Sequence, residues 1–213
     1  MTDSFKHKGL RNQLVETIKS KGISDLNVLN AIGNVPRHLF MDSSFIDHAY
    51  QDKAFPISAD QTISQPFTVA FQTELLKIKK GDKVLEVGTG SGYQAAVLCE
   101  LGANVYSIER QGELYKKVIN FLPSINYYPK KIIYGDGYKG LKEEAPFDSI
   151  IVTAGAPFVP EALLNQLKIG GRLVIPVGEE VQIMMLYTKI SKEKFDIKEF
   201  GQFQFVPLLK EKE

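Results

Sequence analysis

The residue types able to do chemistry cluster in two stretches. In "VLEVGTGSGYQ" an apolar strand runs into Gly88-Thr89-Gly90-Ser91-Gly92 and then into a helix, so a ligand can approach bare backbone at the open end of the strand. In "ADQTISQPF", Thr62-Ile63-Ser64-Gln65-Pro66 offers two hydroxyls and an amide just ahead of a proline. A hydroxyl there can cap a helix that starts near Pro66, or it can grip a substrate. Spacing alone favours the cap, given how often serine serves in that role.

The glycine run has a partner. Glu109 closes the next strand, "VYSIE", twenty-one positions after Gly88, and an acid about 20 residues past such a turn accepts hydrogen bonds from a ribose diol. A dinucleotide fingerprint needs glycine or alanine where this chain has Tyr93. Glu86, on an otherwise apolar strand just before the first glycine, would repel a pyrophosphate but help to hold a cation. Both features favour S-adenosylmethionine, with its amino group and sulfonium, over a dinucleotide. Asp136-Gly137, in "YGDGY", reads either as a simple turn or as an adenine contact on the same edge.

Positioning these residues requires a parallel sheet. From Phe67 onward, helical "PFTVAFQTELLKI", "YQAAVLCE", "GELYKKVINFL" and "PEALLNQL" are interleaved with the apolar strands "KVLEVG", "NVYSIE", "KIIYGD", "DSIIVTA" and "RLVIPVG". That alternation predicts a doubly wound, mostly parallel Rossmann-like α/β sheet with helices on both faces. "QIMMLYTKI" and "FDIKEFGQFQFVPLL" predict an antiparallel strand pair at the C-terminal end. Before the sheet, Leu10, Leu14, Val15 and Ile18 predict a helix stopped at Gly22, and Ser24 is expected to cap a second helix ending near Val35. Residues 37–65 read as mostly irregular, yet with Phe40, Phe45, Tyr50, Phe55 and Ile57 they are too apolar for a free linker. The expected organisation is one domain, 1–213, with N-terminal helices and a covering loop (1–65), a cofactor-binding core (66–178) and C-terminal strands (179–213).

Composition narrows the function classes. With 26 basic against 25 acidic residues, a net charge of +1 leaves no electrostatic footprint for nucleic acid. Cys99 is the only cysteine and His7, His38 and His48 are scattered, so neither a disulfide nor a metal site is expected. No apolar run reaches the roughly 18 residues of a membrane span, and the first residues lack a signal-peptide core. A cytoplasmic protein, monomeric by default, is the expectation.

"QTISQP", "VLEVGTGSGYQAAVL", "GDGYKG", "APFDSIIVTAGAP", "GGRLVIPVG" and "FVPL" occur in the order found in protein-L-isoaspartate O-methyltransferases, which this chain resembles from about Val35 to Leu208. The resemblance implies methyl transfer from S-adenosylmethionine, leaving S-adenosylhomocysteine, to the free α-carboxylate of L-isoaspartyl residues in damaged proteins and peptides. It also implies that Ser64 orients the substrate carboxylate while Thr62, Ile63 and Gln65 shape the pocket. Val206, Pro207 and Leu208 would supply backbone contacts to an extended peptide. Thr153 and Ala154 would lie near the methionine part of the cofactor, completing a site of Glu86, Gly88, Thr89, Gly90, Gly92, Glu109, Asp136 and Gly137.

Three positions depart from the family pattern. Ser58 and Asp60 stand where members commonly have glycines, and Gln204 stands where arginine is frequent. Two other readings compete: a methyltransferase acting on a small molecule or another carboxylate, and a nucleotide-binding regulatory module without catalysis.

Overall fold

A computed structural model describes residues 3–213. Helix α1 (Phe5–Ser20) opens on a capping box between Ser4 and His7, buries Arg11, Leu14 and Ile18 along one face, and stops as Gly22 takes φ +108°. Helix α2 (Leu26–Asn34) is capped by Asp25, not Ser24. Asp25 accepts the N–H groups of Asn27 and Val28, while the N–H and hydroxyl of Ser24 are both taken by Glu74.

Residues 37–65 are more ordered than expected. Two 3₁₀ turns (Arg37–Phe40 and Ser43–His48) lead into a hairpin of β1 (Phe55–Pro56) and β2 (Thr62–Ile63). Phe40 packs edge-on against Tyr93 and Phe121, which fastens the segment to the helices beneath it. The hairpin turns through Ala59 and Asp60 with φ of +58° and +52°. A type I′ turn demands that left-handed geometry at both central positions, matching the strand twist at some cost to a residue with a Cβ. The turn therefore keeps a backbone that glycine would adopt more easily.

Helix α3 (Pro66–Leu76) begins with its proline in the first turn, where a missing N–H costs nothing. The remaining elements are β3 (Lys83–Val87), α4 (Tyr93–Glu100), β4 (Asn104–Glu109), α5 (Gly112–Ser124), β5 (Lys131–Tyr134), β6 (Phe147–Val152), α6 (Glu161–Asn165), β7 (Leu167–Val177), β8 (Gln182–Lys189) and β9 (Phe195–Phe203). They form one seven-stranded sheet in the order β5-β4-β3-β6-β7-β8-β9. β5, β4, β3, β6 and β7 run parallel, and β8 and β9 join antiparallel at one end. β9 stops at Phe203, so "FVPL" is not part of the strand as the sequence run suggested; Phe205 N–H turns instead to Gln182 Oε1.

Strand parity divides the core. Val84 on β3 packs with the layer of α1 to α5, whereas Leu85 and Val87 face the layer that contains α6. The chain winds from β3 outward through β4 and β5, then returns to the other side of β3 with β6. Open α/β sheets bind ligands at such a switch point, beyond the carboxyl ends of the strands.

Ala59→Gly is expected to relieve the left-handed strain and raise the melting temperature by about 1–4 °C, equivalent to about 0.5–1 kcal/mol. Thermal denaturation measures this. An unchanged or lower midpoint would mean that the turn is unstrained.

Candidate active site

A cleft opens at that switch point. The glycine loop and Glu109 line one side, Thr62, Ile63 and Ser64 line another, and Thr153, Ala154 and Val206–Leu208 complete the wall together with Gly137. The glycine loop is held from several directions. Gly88 and Gly90 have φ of +100° and +54°, a region open to glycine without steric cost. Thr153 Oγ1 lies 2.7 Å from the Gly88 carbonyl and 3.1 Å from that of Val87, with one proton to give to either. Gly90 N–H donates to Glu109 Oε2 at 2.7 Å, and Gln111 N–H donates to Glu109 Oε1 at 2.8 Å. Each carboxylate oxygen has about two lone-pair sites, so Glu109 retains capacity for a diol.

Four expected site residues do not line this cleft. Glu86 shares strand parity with Val84, so its side chain points into the α4 layer and is fully buried; it does not reach the cleft. Burial pushes its carboxyl up to about 8, the Ser107 hydrogen bond opposes that shift, and nearby Glu109 adds to it. Burial thus favours the protonated form of Glu86, and the direction of its side chain, away from the cleft, corrects the reading of it as a direct cofactor ligand. Its contribution is indirect: Ser107 Oγ donates to Glu86 Oε2 at 2.5 Å and lies 2.5 Å from Thr89 Oγ1, so the acid props the loop from beneath.

Gly92 also lies outside the cleft wall. A Cβ there would meet Val118 Cγ2 at 2.7 Å, so its smallness lets α5 pack closely. Asp136 accepts Tyr138 N–H and starts a short turn. The Gln65 amide points at Asp52 and away from the cleft. The expected peptide contacts of "FVPL" are corrected in part. The Val206 carbonyl already accepts Gly155 N–H at 2.8 Å, and Leu208 N–H donates to Gly155 O at 2.7 Å.

The competing roles of Ser64 separate at α3. The cap position is Gln65, no side chain of the local sequence caps the helix, and Phe67 N–H donates to Asp52 Oδ1 at 2.8 Å. Among the described residues the Ser64 hydroxyl has no hydrogen-bond partner, and Ser64 borders the cleft. Sequence reading missed the cleft residues Gln61, Val69, Ser91, Gln94, Arg110 and Leu209. Arg110 had a usable signal, since it follows Glu109 directly. Tyr93, which looked only like a misfit, is a cleft residue that also braces the fold. Its buried ring packs against Phe40 and lies 4.8 Å from the Arg37 guanidinium.

Away from the cleft, Asp3, His7 and His38 bring ligand-type atoms within 4.8 Å of one another. The two imidazoles stack with centroids 3.8 Å apart, and Arg11 takes both oxygens of Asp3. Lone pairs lie in the ring planes, so stacked rings do not converge on one ion.

A family profile described as protein-L-isoaspartate(D-aspartate) O-methyltransferase matches residues 9–213. The protein-L-isoaspartate O-methyltransferase of Christiangramia forsetii is 70% identical over 212 residues, covering 100% of both chains. That of Flavobacterium johnsoniae is 64% identical with the same coverage. A Plasmodium falciparum structure described as such an enzyme in complex with S-adenosyl-L-homocysteine superposes with a TM-score of 0.80 at 27% identity, over 93% of this chain and 98% of that one. Sheet order, the glycine loop at the switch point and these likenesses define the class, a Rossmann-like S-adenosylmethionine-dependent methyltransferase. Within it, the chain belongs to the protein-L-isoaspartate(D-aspartate) O-methyltransferase family.

Glu86 gives the site a pH signature. A carboxyl raised from 4.5 to about 8 on folding favours the native state fully below about 4.5, and that contribution is lost as pH rises to about 8. Glu86→Gln keeps the shape without the titration. Its melting temperature relative to the parent is therefore expected to climb between pH 5 and 8 and then level off. A difference independent of pH would show that Glu86 is ionised in the folded protein.

Proposed function

We infer that this chain methylates the free α-carboxylate of L-isoaspartyl residues in damaged proteins and peptides, the step that starts their repair. The observation that carries this reading is the unengaged Ser64 hydroxyl on the cleft wall, where an incoming carboxylate needs a donor. Glu109, with lone pairs to spare, and the side-chain-free faces of Gly88 and Gly90 fit the adenosine portion of S-adenosylmethionine. Bound there, that cofactor supplies a methyl group on positively charged sulfur.

Little is demanded of the chain's own residues. A carboxylate with an ordinary pKa near 3.9 is already ionised at neutral pH, so no general base is required. Orientation and exclusion of water are required. Ser64 would donate one hydrogen bond to the carboxylate, fixing which oxygen faces the methyl carbon. Buried Ile63, Val69 and Leu208 form an apolar boundary to the same cleft. Charge is lost as carboxylate and sulfonium react, so such a boundary speeds the transfer. Among the described residues no helix is long and apolar enough to cross a membrane.

A labelled-methyl assay with an isoaspartyl peptide and its aspartyl twin is expected to give transfer to the first alone; equal labelling of both would sink the repair assignment. Ser64→Ala is expected to lower kcat/KM about ten- to hundredfold, the value of a hydrogen bond to a charged group. Cofactor Kd should stay unchanged. A large loss of thermal stability with little change in rate would instead mark Ser64 as a structural residue.

A further inference from the structure

The geometry points to Asp52 as a positioning residue for the proposed reaction, one that keeps the Ser64 hydroxyl available to substrate. This rests on the reading of Ser64 above. Four hydrogen bonds converge on Asp52. Its Oδ1 accepts Phe67 N–H at 2.8 Å, its Oδ2 accepts Gln65 Nε2 at 3.0 Å and Lys21 Nζ at 2.6 Å, and its carbonyl accepts Gln65 Nε2 at 3.2 Å. The carboxylate is only 7% exposed, so these bonds are largely shielded from water.

Their placement matters because helix α3 starts with unsatisfied donors. Pro66 has no N–H, which makes Phe67 N–H the first available one. Phe67 lies three residues after Ser64, close enough in the chain for a serine hydroxyl just before the cap position to compete for that N–H. Asp52 occupies the donor that Ser64 would otherwise take. It also adds negative charge at the helix N-terminus and anchors the Gln65 side chain, fixing the chain on the far side of Ser64. Without Asp52, the Ser64 hydroxyl would turn onto its own helix and leave the cleft.

A double-mutant cycle on methyl transfer to an isoaspartyl peptide, at saturating S-adenosylmethionine, tests this. Asp52→Ala is expected to lower kcat/KM about tenfold in the parent, the kinetic equivalent of about one capping interaction. In the Ser64→Ala background the same change is expected to cost less than about twofold. Asp52→Asn, whose amide oxygen can still accept Phe67 N–H, is expected to recover much of the rate and serves the cycle if Asp52→Ala does not fold. Equal losses with and without Ser64 would overturn the positioning role while leaving the Ser64 reading intact. A fully active Ser64→Ala protein would remove both.

Discussion

The site depends on one constraint: the glycine loop must present bare backbone to a ligand while its own peptide groups stay fixed. Restraints reach the loop from the cleft wall and from beneath. Thr153 reaches the Gly88 and Val87 carbonyls from just past the end of β6, Glu109 accepts Gly90 N–H from β4, and α5 packs on Gly92. Beneath, Thr89 rests on Ser107 and Ser107 on Glu86, an acid kept neutral by burial. An ionised carboxylate in that dry position would carry a desolvation cost of several kcal/mol. Protonation avoids it, and the acid then serves as a hydrogen-bonding strut.

The wall facing that loop is held by a second buried group. Arg37 is fully buried, donates to the carbonyls of Ala49 and Lys53, and lies over the Tyr93 ring. Burial lowers its guanidinium to about 10, which still leaves it protonated at neutral pH. The two carbonyls bracket Asp52, so the segment that organises the start of α3 is tied to the first residue of α4, directly after the glycine run. Cofactor loop and substrate wall are thus built on one shared joint. The tyrosine that excluded a dinucleotide fingerprint is part of that joint.

Much of the fold is legible in the sequence because parallel strands buried on both faces read as apolar runs, and Gly22 and Pro66 mark helix ends. The glycine run and Glu109 are legible because their chemistry is local to strand ends. The direction of the Glu86 side chain is not, since parity with Val84 gains meaning only once the α4 layer is known to lie on that side. Ser24 and Asp25 are both competent caps, and Glu74 of a distant helix decides between them. Asp52 caps α3 from fifteen residues away, a contact that spacing rules for caps do not reach. The end of β9 was overrun for a similar reason: "FVPL" has strand composition, but Gly155 claims its peptide groups.

These arrangements converge on one claim, that Ser64 is free to hold a carboxylate because Asp52 has taken over the start of its helix. The most direct test is a crystal structure with S-adenosylhomocysteine and an isoaspartyl peptide bound. The account predicts Ser64 Oγ within about 2.5–2.8 Å of the isoaspartyl α-carboxylate, at charge-assisted hydrogen-bond distance, with Asp52 still on Phe67 N–H. Ser64 Oγ turned onto Phe67 N–H, with the carboxylate held by other groups, would contradict it.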